Sequence, residues 1–167
     1  KIRKETDRAL VARMPVGIVT GAQFLRGFEK WMEDLYLNRE FSDALMEKYT
    51  EIWIEAVEGM LDALGENVDI LIWGDDLGVQ TQPMISPKIF RERIKPLMKE
   101  QVKAIKAKTN AKIAFHTCGS VYEFIEDFID IGIDVLNPLQ ATARDMEAKK
   151  IKEKAGKDLA LWGGIDT

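Results

Sequence analysis

Apolar positions along the chain follow two alternating rhythms: short continuous runs, and longer stretches spaced three and four apart. Pro15 to Thr20 is a short apolar run closed by Gly21 and predicts a strand. Ala22 to Leu37 then has helical spacing at Phe24, Leu25, Phe28, Trp31, Met32 and Leu35. Phe41, Leu45, Tyr49, Ile52, Trp53, Ala56, Met60 and Leu64 mark one face of a long amphipathic helix, with Gly65 as its stop. Val68 to Trp73 is a nearly continuous apolar strand, as in a parallel sheet covered on both faces. It runs into the polar loop Gly74-Asp75-Asp76-Leu77-Gly78. Ser86-Pro87 opens a further helix, Ser as N-cap and Pro at the first helical position. Phe90, Ile94, Leu97, Met98, Val102 and Ile105 form its stripe.

The second half repeats the rhythm. Ala111 to Phe115 predicts a buried strand leading to His116. Ser120-Val121-Tyr122-Glu123 has the form of a capping box, and Phe124, Ile125 and Phe128 follow on one helical face until Gly132. Asp134 to Pro138 predicts a strand, and Ala143 to Ala155 a weaker helix capped by Thr142 and stopped by Gly156. Leu159 to Trp162 is a last strand before Gly163-Gly164. Alternating strands and helices mean a parallel α/β sheet, either open and doubly wound or part of a TIM barrel. Five strands fall short of the eight of a closed barrel. No G-x-G-x-x-G or Walker loop follows any strand, which weakens the nucleotide-binding open sheet. In either architecture function sits at the C-terminal ends of the strands. Asp75-Asp76, His116-Cys118, Asn137-Gln140 and Gly164-Asp166 all fall there.

Composition narrows the classes. The 167 residues suit one domain, 1–167, with a real core, and 46% hydrophobic residues exclude a mostly disordered chain. A net charge of −4, with both signs spread along the chain, argues against nucleic acid as a partner. The lysines between Lys103 and Lys112 read as a solvated helix end. A single cysteine forms no internal disulfide, which points to a reducing cytoplasm. No apolar run approaches a membrane span, and the first residues have no signal-peptide pattern. The chain starts on Lys1 and stops on Gly163-Gly164-Ile165-Asp166-Thr167, so both ends read as cut.

The candidate chemistry centres on His116 and Cys118, the only histidine and the only cysteine, two residues apart. Positions i and i+2 of a strand share a face, so an imidazole nitrogen and a sulfur converge at the strand's end. Zinc takes such ligands, but a catalytic zinc needs about three from the protein. The third would be Asp75, Asp76 or a residue outside this sequence. The bland alternative is a buried thiol beside a backbone-bonded histidine. A nucleophilic Cys118 with His116 as base is another option, helped by a helix N-terminus at Ser120. Asp75 and Asp76 are candidate acid/base or orienting carboxylates, alternation sending at most one into the site; the alternative is a cap or loop pair. Gln80, Asn137, Gln140 and Asp166 are candidate substrate-binding groups. Trp73 and Trp162, at strand ends, are candidate pocket walls.

Together these motifs resemble the uroporphyrinogen decarboxylase superfamily. The resemblance is carried by Gly74-Asp75-Asp76-Leu77-Gly78-x-Gln80 with Ile85-Ser86-Pro87, and by Phe115-His116-Thr117-Cys118-Gly119-Ser120. Gly132 to Gln140 and Trp162-Gly163-Gly164-Ile165-Asp166-Thr167 complete it, in matching order from about Pro15 onward. The resemblance implies a TIM barrel of which this chain is the middle and later part. It also implies one of two chemistries. Decarboxylases of the family remove the acetate carboxyls of uroporphyrinogen III without metal or cofactor. Methyltransferases move methyl groups between corrinoid proteins and thiols, using zinc held by a His-x-Cys pair and a later Cys. His116 and Cys118 match the pair, which draws the chain toward the methyltransferase branch; the later Cys would lie beyond Thr167. The expected function is a zinc-dependent methyltransferase working on a small-molecule thiol with a corrinoid-protein partner. The alternatives are a uroporphyrinogen decarboxylase, in which a carboxylate stabilises the positive pyrrole and His116 donates a proton, or an incomplete piece that forms homo-oligomers through unpaired sheet edges.

Overall fold

The structure, a computed structural model, describes residues 2–165. Five strands form one parallel sheet in the order of the chain: β1 (Val11–Arg13), β2 (Ile70–Gly74), β3 (Lys112–His116), β4 (Val135–Leu139) and β5 (Ala160–Gly163). Sequential parallel strands with a helical crossover between each pair make an arc of a TIM (β/α)8 barrel, one of the two architectures the alternation allows and the one the resemblance implies. The crossovers are α1 (Ile18–Arg26), α2 (Phe28–Leu37) and α3 (Arg39–Leu64), then α4 (Pro87–Ile89) running through a π turn, Phe90–Ile94, into α5 (Lys95–Lys108), then α6 (Ile125–Ile131) and α7 (Ala148–Ala155).

Strand alternation sorts the side chains. Leu71, Trp73, Ile113, Phe115 and Leu136 are buried and face the helices. Trp73 packs between Trp53 of α3 and Phe115, tilted to the first and edge-on to the second, ring centroids 5.5 and 5.6 Å apart, and Phe115 continues to Phe128 at 5.3 Å. Each such ring contributes about 1.5–3 kcal/mol by leaving water, which sets the register of the helices on the sheet. Arg93, in the π turn, is buried and donates to Leu35 O at 2.7 Å and to Asp43 Oδ1, tying the α2–α3 corner to the next crossover. The opposite, concave face carries Ile72, Gly74, Ala114, His116 and Asn137.

Four local expectations change. Pro15 to Thr20 is not a strand: the first strand is Val11–Arg13, and Ile18 already begins α1. Ala22 to Leu37 is broken into two helices at Gly27, whose φ of 85° suits glycine. No capping box forms at Ser120. The amide of Ser120 donates to Val79 O, and a 3₁₀ turn, Tyr122–Phe124, precedes α6. The helix expected over Ala143 to Ala155 is confined to Ala148–Ala155, with Glu147 rather than Thr142 at its N-cap position.

Candidate metal centre

The site is built by sheet register and by two loops zipped together above it. Gly74, His116 and Asn137 are direct partners across β2, β3 and β4, so all three face the concave side. Beyond the strand ends the pairing continues irregularly. The Asp75 amide donates to His116 O at 3.0 Å, the Leu77 amide to Thr117 Oγ1 at 3.0 Å, and the Ser120 amide to Val79 O at 2.8 Å. The two loops approach so closely because both are glycine at the crossing. A Cβ on Gly119, held at φ 79°, would stand 2.5 Å from the Gly78 carbonyl carbon. Gly119→Ala is therefore expected to cost about 2–4 kcal/mol from overpacking and positive-φ strain, read as a lowered unfolding midpoint.

This zipper delivers Asp76 to the pair. Asp76 Oδ1 accepts from the Cys118 amide at 3.2 Å. Cys118 Sγ lies 3.6 Å from His116 Nε2, and one ligand atom each of Asp76, His116 and Cys118 all fall within 4.8 Å of one another. His116 Nδ1 is 2.8 Å from Asn137 Oδ1. Oxygen, nitrogen and sulfur converging at this scale match the donor set of a zinc site with three protein ligands and an open position. The cluster borders a cavity of about 340 Å³ lined by Arg13, Ile72, Gly74, Asp76, His116, Asn137 and Trp162. Trp162 also walls a second cavity with Cys118, Gln140, Gly163 and Gly164. Trp73 reaches the first cavity's edge, but its ring belongs to the helix-facing layer.

The adjacent carboxylates separate as alternation requires. Asp75 is buried and turns to the start of α1, where Oδ2 accepts from the Val19 amide at 3.1 Å and Oδ1 from the Thr20 amide at 2.8 Å. It caps a helix 55 residues away in sequence. Burial pushes its pKa up to about 6, against the two amides and the Thr20 hydroxyl, with Asp76 adding a smaller upward push. The folded protein thus holds a proton that the unfolded chain has lost. The stability from this proton is complete below about pH 4 and is lost as pH rises through about 6, by about 3 kcal/mol. Urea unfolding across that range measures the decline, and Asp75→Asn abolishes it.

The other candidates fall as follows. Gln140 holds the zipper through Oε1, which accepts from the Gly119 amide at 2.7 Å. Gln80 is exposed on the loop, and its carbonyl accepts from the Arg144 amide. Asp166 lies outside the described residues. The helix N-terminus expected at Ser120, which would lower the thiol pKa, is absent: burial, and then Asp76, push the Cys118 thiol pKa up, which disfavours a free nucleophilic thiolate. Sequence reasoning did not find the Gly78–Gly119 crossing or the Asn137 bond to His116; the register that would reveal the latter is a tertiary property. Among the described residues no helix is long and apolar enough to cross a membrane.

With this geometry in place, known proteins offer a comparison. The chain is similar to a methyltransferase from Methanosarcina mazei, at 24% identity and a TM-score of 0.74, over 96% of this chain and 44% of that one. A more remote likeness is to the 7,8-dihydropteroate synthase from Vibrio fischeri ES114, at 18% identity and a TM-score of 0.49, over 96% and 47%. The chain spans less than half the length of either. No curated protein matches it. The likeness to the methyltransferase shows a shared fold. The profile of uroporphyrinogen decarboxylase (URO-D) matches residues 2–167, and the chain belongs to that family.

Proposed function

We propose that this chain carries the metal-holding part of a zinc-dependent methyltransferase, which moves a methyl group between a corrinoid on a partner protein and a small thiol. The observation that carries the reading is the convergence of Asp76, His116 and Cys118 within 4.8 Å at the strand ends. His116 would supply Nε2, Cys118 its sulfur and Asp76 a carboxylate oxygen. A zinc ion held there would lower the pKa of an acceptor thiol so that it ionises near neutral pH. Cys118 would give up its proton on becoming a ligand, so metal affinity would rise with pH. Asp76 also holds the Cys118 amide, so one carboxylate both binds and orients. Trp162 walls the cavity in which the acceptor would lie. The whole barrel is the single domain to which residues 1–167 contribute.

The test uses the full-length protein with free methylcobalamin as donor and a series of small thiols. Thioether formation that needs zinc and fails in His116→Ala is the expected result. Turnover of uroporphyrinogen without metal, and no thioether, would overturn it in favour of a decarboxylase.

A further inference from the structure

We propose that Asn137 is a positioning residue that fixes the His116 ring in its Nδ1–H form and so leaves the Nε2 lone pair facing Cys118 and Asp76. The inference rests on the metal reading above and deepens it. Asn137 was expected to contact substrate, but both ends of its amide are already engaged. Oδ1 faces His116 Nδ1 at 2.8 Å, and Nδ2 donates to Trp162 O at 3.4 Å. Flipping the amide would set Oδ1 against the Trp162 carbonyl, two acceptors with no proton between them. The orientation is thus fixed from the β5 side, and Nδ1 must be the donor to Oδ1. A neutral imidazole has one N–H, so Nε2 is then bare.

A bare nitrogen is what a metal ligand requires, and ligating histidines usually give their other N–H to such a partner. In water a neutral histidine side chain favours the Nε2–H form, which places the proton where the metal must bind. Asn137 reverses that preference before any metal arrives. Its backbone takes part too: Asn137 O accepts from the Thr117 amide at 2.7 Å, so one residue grips the His116-Thr117-Cys118 segment at two points. The β3–β4 register places them side by side.

His116 is the only histidine of residues 1–167, and in the full-length protein its two ring nitrogens are assigned as the ¹⁵N-histidine signals lost in His116→Gln. In the metal-free full-length protein at about pH 8, where an ordinary histidine is neutral, Nδ1 is expected to be protonated and Nε2 bare. Asn137→Ala is expected to shift the ring mainly to Nε2–H and to weaken zinc binding about 10–100-fold. Asn137→Asp, which keeps an acceptor at the same place, is expected to retain Nδ1–H. An Nε2–H ring in the parent protein would overturn the proposal, as would an unchanged ring in Asn137→Ala. If the ring behaves as expected but the parent protein takes up no zinc, the positioning role stands and the metal reading falls.

Discussion

Cys118→Ser will weaken zinc binding by more than about a hundredfold, a larger loss than removal of an outer-shell partner causes. The thiol is the softest donor of the three, and a serine hydroxyl does not ionise near neutral pH. The fold should survive. The Cys118 side chain is half-buried, its contact to His116 Nε2 is loose at 3.6 Å, and the bond its amide gives to Asp76 is unaffected. Asp76→Asn keeps the oxygen that accepts from that amide but loses the charge that a dication attracts. Its expected loss is smaller, about 10–100-fold. Competition against a chromophoric chelator measures both. Equal affinity in Cys118→Ser and the parent protein would place the metal elsewhere.

Asp75→Ala will destabilise the protein by about 1–3 kcal/mol at neutral pH. The substitution leaves the Val19 and Thr20 amides without an acceptor at a buried helix start. Each orphaned buried donor costs about 1–3 kcal/mol. Relief from holding a carboxylate at a site that raises its pKa to about 6 offsets part of this. The effect reaches the site, because the Asp75 amide also donates to His116 O, and Gly17, at the start of α1, packs against the Asp75 carboxylate. Chemical denaturation gives the energy. Little change in stability would mean that α1 does not depend on this cap.

Where a feature is local, the sequence shows it. The run from Phe41 to Leu64 declares its helix but not the covered face: the buried stripe is Ser42, Met46, Thr50, Trp53, Val57 and Leu61, which shares only Trp53 with the apolar series. Val68 to Trp73 declares a strand, found at Ile70–Gly74, but only its helix-facing side is fully buried; the other side is half-buried and lines the cavity. His116 and Cys118 announce convergence because the pleat repeats every two residues. Pro15 to Thr20 misleads, since a short apolar run fits a strand and a buried helix start equally well. What decides it is Asp75, which offers two acceptors to Val19 and Thr20 from far along the chain. Ser120 misleads for a similar reason: its amide goes to Val79 instead of joining a local cap. Asp76 stood among several candidates for third ligand. Only the crossing of Gly78 and Gly119 brings it to Cys118, and pattern along one strand contains nothing of that crossing. Asn137 belongs to the same class, polar at a strand end and assignable to His116 only once β3 and β4 are in register.

Whether Asp76, His116 and Cys118 hold one zinc ion, as proposed, is decided by zinc analysis of the full-length protein. Elemental analysis with X-ray absorption at the zinc edge should give about one equivalent, bound by sulfur together with nitrogen and oxygen ligands and lost in Cys118→Ser. Less than about a tenth of an equivalent, or the same zinc content in Cys118→Ser, would contradict it.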